Sequence, residues 1–207
     1  MNVFAHREDG CGLCPRHPIV CFLDLAGVCM AIVFAMYRPI ISLSLLPVAI
    51  TAQYGASCFY HWLPYNKARQ TIDHLMIAVL ITATYVQYWL RSLPPTEASW
   101  RIWTLGAVTV IVLLVRLALP KYGKLRGILY LALGLGGLIM SLMSTDMLPT
   151  AAWIGFLSGI GLYFVQFVVF ALQKPDPLPE ILGHRELQHA ILLLASGLHL
   201  FVAAIYL

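Results

Sequence analysis

Long runs of apolar residues alternate along the chain with short polar segments. Seven of these runs approach or exceed the roughly 20 residues with which an α-helix crosses a bilayer. The predicted spans are 19–37, 40–63, 70–90, 100–119, 125–144, 150–172 and 186–207. Each break between them contains at least one proline, which disfavours helix continuation. The pattern predicts an all-α membrane protein, a seven-transmembrane-helix bundle (19–207) preceded by a short tail (1–18).

The composition supports a membrane protein and argues against a soluble globular core. Hydrophobic residues make up 60% of the chain and charged residues only 11%, a balance typical of polytopic membrane proteins. The glycines of two apolar runs predict close packing between helices and not a phosphate-binding loop. These glycines are Gly134, Gly136, Gly137, Gly155 and Gly159. The sequence has no basic patch, so it does not indicate nucleic acid as a partner.

Lysine and arginine are distributed unevenly between the two predicted faces of the bundle. Ten of the 13 lie in the tail or at the second, fourth and sixth loops, namely Arg7, Arg16, Lys67, Arg69, Arg116, Lys121, Lys124, Arg126, Lys174 and Arg185. The other three, Arg38, Arg91 and Arg101, lie on the opposite side. Cytoplasmic loops carry the excess of positive residues. We therefore predict that the N-terminus is cytoplasmic and the C-terminus external.

Polar residues from three predicted spans meet at the cytoplasmic side. Ser57 and His61 end the second span and share a helix face, since they are four residues apart. Asp73 and His74 open the third span, and His189 lies in the first turns of the seventh. Ionisable groups at membrane depth are costly and suggest function. The plain alternative is that the histidines lie at headgroup level and that Asp73 starts a helix.

These residue types suit a catalytic zinc site. Such sites use three protein ligands and leave one position open, and His61, His189 and one further histidine could supply the ligands. A zinc-bound water has a pKa of about 7, and Asp73 could act as its base. Ser57 could steady the water or an oxyanion.

The cysteines give a weaker signal. Cys11 and Cys14 precede His17 in a spacing that resembles half of a metal knuckle, but no second pair follows. A free, reduced tail is the favoured interpretation and a metal knuckle the alternative. Cys29 and Cys58 lie in apolar runs and are expected to pack there.

The stretch from Ser57 to His61, the sequence 69–74 and the histidines of the last span resemble the hemolysin III family. That family is related to the progestin and adipoQ receptors and to the alkaline ceramidases. The resemblance implies a seven-helix fold with a zinc site near the cytoplasmic side. In the wider family, the site uses the serine and histidine of helix two, the aspartate of helix three and a His-x-x-x-His pair of helix seven.

Carried over by position, Ser57, His61 and Asp73 match, and His189 is the second histidine of the helix-seven pair. Arg185 occupies the first position, and a guanidinium does not ligate zinc. The third ligand is therefore expected to be His184, provided that the helix starts irregularly after Gly183, or alternatively His74 from the third span.

The resemblance implies a zinc-dependent membrane hydrolase that acts on a lipid amide or ester and contributes to membrane-lipid homeostasis. The expected partner is a membrane lipid, and the expected location is a bacterial inner (plasma) membrane. The sequence specifies no oligomeric state. A non-enzymatic sensor of lipid or membrane state, receptor-like, is the alternative. A pore-forming haemolysin is less consistent with a resident seven-helix bundle.

The charge distribution gives a direct test of topology. Reporter fusions at the two ends of the chain should give opposite signals, because seven spans place the ends on opposite sides of the membrane. Equal signals at both ends would refute the seven-span topology and the convergence of polar residues that depends on it.

Overall fold

Seven α-helices account for most of the described residues. The computed structural model describes residues 15–37, 45–119, 123–178 and 181–207. The helices are α1 (Pro18–Tyr37), α2 (Leu45–Trp62), α3 (Lys67–Ser92), α4 (Pro95–Ala118), α5 (Gly123–Leu142), α6 (Thr150–Leu172) and α7 (His184–Tyr206). Each predicted span therefore corresponds to one helix.

Four of the described helices, α1, α4, α6 and α7, are long and apolar enough to cross a membrane. This supports an all-α membrane protein, while seven crossings stay a prediction. The helix α2 contains Gln53, Ser57 and His61, and α3 contains Asp73 and Gln87, all buried. These polar side chains lower the hydropathy of the two helices, and they face the protein interior.

The starts of α3 and α7 differ from two sequence-based interpretations. Asn66 caps α3, and its side chain accepts hydrogen bonds from the backbone N–H groups of Ala68 and Arg69. Asp73 lies beyond the first turn, so it does not start the helix. The helix α7 begins regularly at His184, because the Glu186 carboxylate accepts from the Gly183 N–H at 2.9 Å. The irregular start expected after Gly183 is absent here.

The helix α3 lies at the centre of the packing. It contacts α2, α4 and α5, while α7 packs between α6 and α1. Tyr85, Tyr88 and Trp89 of α3 are buried in the main apolar cluster. Their polar atoms are bonded, since Tyr85 Oη donates to the Gly134 carbonyl at 2.7 Å and Trp89 Nε1 donates to Ser141 Oγ at 2.9 Å.

Three of the five glycines singled out in the sequence lie at close helix contacts. A Cβ at Gly137 would collide with the Tyr85 ring, at Gly155 with Val202 and at Gly159 with His199. Gly134 and Gly136 have open space where a Cβ would lie. The predicted role in helix packing is thus confirmed for Gly137, Gly155 and Gly159 only.

This contrast predicts opposite effects of two neighbouring substitutions. Gly137→Ala should destabilise the protein by about 1–3 kcal/mol, because the buried and hydrogen-bonded Tyr85 ring cannot easily move away. Gly136→Ala should be neutral or stabilise by up to about 1 kcal/mol, because alanine favours the helix. Chemical unfolding in detergent micelles measures both. Equal effects of the two substitutions would contradict the close α3–α5 contact.

Candidate functional site

One face of α2 carries the polar side chains that begin the site. Gln53, Ser57 and His61 are spaced four residues apart and therefore line up along the helix. All three are buried, with 2%, 1% and 6% of their surface exposed. Ser57 Oγ and His61 Nδ1 make no well-aligned hydrogen bond within the described residues. His61 Nδ1 is therefore available to a ligand.

The helix α7 brings His189 against this face. The rings of His61 and His189 meet edge to face, with their centroids 5.3 Å apart. On its other side, His189 Nδ1 lies 2.8 Å from Asp24 Oδ1 of α1, and Asp24 is fully buried. A carboxylate in this position holds an imidazole in one orientation and one tautomer. Nδ1 therefore carries the proton and Nε2 keeps its lone pair.

His17, just before α1, is the second neighbour of His61. Their ring centroids are 5.1 Å apart, and the His17 N–H donates to the His61 carbonyl at 3.3 Å. Arg185 Nη1 lies 2.9 Å from His17 Nε2. Because a guanidinium only donates, His17 Nε2 is the acceptor in this bond. Arg185 therefore points into the histidine cluster.

Asp73 of α3 completes the polar group. It is buried, and its Oδ1 accepts from Gln53 Nε2 at 3.3 Å. The Ser57 hydroxyl lies within hydrogen-bonding reach of Asp73, and His189 is near enough to interact with it electrostatically. The structure thus places Ser57, His61, Asp73 and His189, four of the predicted site residues, in one region.

His74 faces a different set of groups. Its Nδ1 lies 3.4 Å from Arg116 Nη2, and its Nε2 lies 4.0 Å from Asp73 Oδ2. Since Arg116 can only donate, Nδ1 accepts and Nε2 carries the hydrogen. In this arrangement the Nε2–H group of His74 lies beside the Asp73 carboxylate. Neither ring nitrogen of His74 offers a lone pair to a metal.

His184 lies at the first turn of α7, beside the connection from α6. Its N–H donates to Asp176 Oδ1 at 3.1 Å, and its Nδ1 is 3.7 Å from the same oxygen. Its ring makes no described contact with His61 or His189, although it lines the same cavity. The geometry therefore brings His17, and not His184, next to His61.

His199, ten residues beyond His189, belongs to a separate interior cluster. It is fully buried, its ring stacks on Tyr163, and its Nδ1 lies 3.2 Å from Tyr88 Oη. Tyr163 also contacts Ser196, whose hydroxyl accepts from Tyr54 Oη at 3.3 Å. This second polar layer connects α2, α3, α6 and α7 inside the bundle.

The donor chemistry of the first cluster suits zinc, although its ligand set is incomplete. Among the described residues, no three His, Cys, Asp or Glu side chains are grouped closely enough to hold a metal ion. His189 nevertheless has the carboxylate partner that metal-binding histidines commonly have, and His61 has an unpaired buried nitrogen. These two histidines therefore fit as ligands, and Asp73 fits as their carboxylate neighbour.

A cavity of about 610 Å³ opens beside this cluster. His61, Asp73, Arg185 and His189 line its polar end. Most of the other lining side chains are apolar, among them Ile77, Ile81, Leu138, Ile160, Phe164 and Phe167. Its volume lies within the range of about 300–1,000 Å³ typical of small-molecule sites. The shape suits a molecule with one polar end and one long apolar part.

Sequence reasoning missed three contributors to the site. Gln53 lies one turn before Ser57, so the spacing of four could have indicated it. Asp24 was noticeable as an acid within an apolar span, but its partner was not predictable. His17 was grouped with Cys11 and Cys14 of the tail, which lie outside the described residues.

The Asp24–His189 pair predicts a measurable coupling. Asp24→Asn and His189→Gln should each destabilise the protein, and together they should cost less than their sum by about 1–3 kcal/mol, because the pair is buried. The cycle of Asp24→Asn with His184→Gln is the control, since His184 is bonded to Asp176. It should be additive within about 0.5 kcal/mol. Chemical unfolding measures both cycles, and equal coupling in the two would contradict the assigned contact.

Comparison with known protein families identifies the family to which the chain belongs. The profile of the family described as haemolysin-III related matches residues 16–200. The match covers all seven helices apart from the last residues of α7 and includes every side chain of the cluster. The protein therefore belongs to the haemolysin-III related family.

Proposed function

We propose that this protein is a zinc-dependent hydrolase of the membrane that cleaves an amide or ester bond of a lipid. The observation that carries the proposal is the position of His61, His189 and Asp73 at the polar end of an apolar cavity. A cavity of this form can hold an acyl chain along Ile77, Ile160 and their apolar neighbours. The polar head of the lipid then lies among the ionisable groups.

The residues of the cluster have separate roles in this proposal. His61 and His189 would hold the zinc, and Asp24 keeps the His189 ring in place through its hydrogen bond of 2.8 Å. Zinc at such a site polarises a carbonyl and makes a water molecule more acidic. Asp73 would be the base for the attacking water, and the Gln53 amide holds Asp73 in place by a hydrogen bond. Ser57, whose hydroxyl lies beside Asp73, would donate to the developing oxyanion.

The third protein ligand is proposed to be His184, with His74 as the alternative. In the described geometry His184 would first have to leave Asp176, and His74 would have to leave Arg116. Both histidines line the same cavity as His61.

Metal analysis tests this assignment. Purified wild-type protein should contain about one zinc per chain after exposure to zinc, and His61→Ala and His189→Ala should lose it. The third ligand is whichever of His184→Ala and His74→Ala also loses zinc. A wild-type protein that takes up no zinc would refute the metal-dependent mechanism.

Asp73→Asn tests the chemistry separately from the metal. We expect kcat for a neutral fluorescent acyl amide or ester to fall by about 10²–10⁴-fold, as on loss of a general base. Zinc content and stability should change little, since asparagine can still accept from Gln53 and Asp73 does not cap α3. Asp146→Asn, in the exposed loop after α5, is the control and should keep full activity. Full activity of Asp73→Asn would exclude this role.

The second candidate function is a non-enzymatic sensor of lipid or membrane state. Arg185 favours it, because this side chain stands where the resemblance places the first helix-seven histidine. A sensor would bind lipid in the same cavity without releasing a product. Release of free fatty acid from the bound lipid distinguishes the enzyme from the sensor.

A further inference from the structure

Arg185 places a positive charge at the polar end of the cavity. The proposed hydrolysis does not use this charge. Its guanidinium donates to His17 Nε2 at 2.9 Å, which is the one hydrogen bond of this side chain within the described residues. A guanidinium has five N–H donors in a planar fork. The side chain is exposed, and it also lines the cavity. Several donors therefore stay available to a ligand.

The nearby carboxylates are all engaged elsewhere. Asp24 pairs with His189, Asp73 accepts from Gln53, and Glu186 accepts from the Gly183 N–H. Among the ion pairs of the described residues, none includes Arg185. The exposed Arg185 guanidinium therefore has no carboxylate partner among the described side chains, and an anionic ligand in the cavity can supply one.

We infer that Arg185 binds the anionic head of the lipid that occupies the cavity. That the lipid is a substrate rests on the proposed function. The inference adds the chemical class of that substrate. A guanidinium binds carboxylates and phosphates through two parallel hydrogen bonds. The ligand is therefore a single-chain lipid with a carboxylate or phosphate head, and its acyl chain lies against the apolar wall.

The location of Arg185 also restricts where the anionic group lies. Arg185 contacts His17, and the His17 ring centroid is 5.1 Å from that of His61. The anionic group and the bond proposed to be cleaved near His61 are thus separated by only a few covalent bonds. An acyl chain linked through an amide to a short acid has this form.

Lipid binding with and without a charge on the head tests the inference. The probes are an N-acylglycine, the neutral N-acylethanolamine of the same chain length and a lysophosphatidic acid, each displacing a fluorescent fatty-acid analogue. The protein is held in nanodiscs of neutral phosphatidylcholine at fixed salt. Wild-type protein should bind at least one anionic lipid about tenfold or more tightly than the neutral lipid. The anionic lipid that binds more tightly shows whether the preferred head group is a carboxylate or a phosphate.

Arg185→Gln should remove this preference while leaving binding of the neutral lipid nearly unchanged. Arg69→Gln is the matched control, because it removes an equal charge from a half-buried position at the same end of the bundle, outside the cavity lining. It should keep the preference. If Arg185→Gln does not fold, Arg185→Met replaces it, since methionine is a long uncharged side chain that favours the helix.

Three results of the lipid-binding comparison would overturn the inference. These are an absent preference in the wild type, an unchanged preference after loss of the Arg185 charge, or an equal loss in Arg69→Gln. Displacement of the probe by inorganic phosphate or acetate alone at micromolar concentration would indicate a small-anion site and would also overturn it.

Turnover of the same lipids separates this inference from the proposed function. An anionic preference in binding without any release of fatty acid would refute the hydrolase and leave the role of Arg185 intact. Release of fatty acid without an anionic preference would refute the role of Arg185 and leave the hydrolase intact.

Discussion

The hydrogen bond between His189 and Asp24 connects the two helices that enclose the histidine cluster. Asp24 is fully buried in α1, and a carboxylate at such a position is costly unless it is paired. The His189 ring at 2.8 Å supplies the partner. The same bond fixes the direction of the ring, which meets the His61 ring edge to face. Stability of the α1–α7 contact and orientation of the site thus depend on one interaction.

Polar groups in a bilayer-spanning bundle must face inward, and this constraint organises the rest of the interior. The polar face of α2 meets Asp73 of α3 at one level. Further along the helices, His199, Tyr88, Tyr163 and Ser196 form the second level. Gly159 makes the second level possible, because any larger side chain would occupy the place of the His199 ring. Small residues on one helix therefore create room for polar ones on another.

The helices were largely predictable because each depends on a local property of the sequence. A run of apolar residues and a proline at each break were enough to place all seven, and the predicted bounds of α6 agree with the structure. The start of α3 was placed three residues late, because Asn66 is a cap whose role depends on bonds to Ala68 and Arg69. Such a bond is visible in a structure but ambiguous in a polar segment of sequence.

The site was predictable only where one helix contributed adjacent turns. Ser57 and His61 share a face of α2 by their spacing, so their proximity followed directly. The neighbours of His61 could not be deduced in this way, since His17 and Asp24 reach the site through the packing of α1 against α2 and α7. The position of His184 depended on how α7 begins. That start is set by Glu186 and Gly183, whose hydrogen bond makes it regular.

The residues just before α1 are attached to the end of α2. The backbone N–H groups of Arg16 and His17 both donate to the carbonyl of His61, at 3.2 and 3.3 Å, and the Arg16 side chain donates to the Tyr60 carbonyl. Any load applied to the polypeptide upstream of Arg16, such as a tag, a tether to a support or a bound antibody, is therefore transmitted to the backbone of His61. Handles for purification or immobilisation are mechanically better isolated from this histidine when they are attached elsewhere.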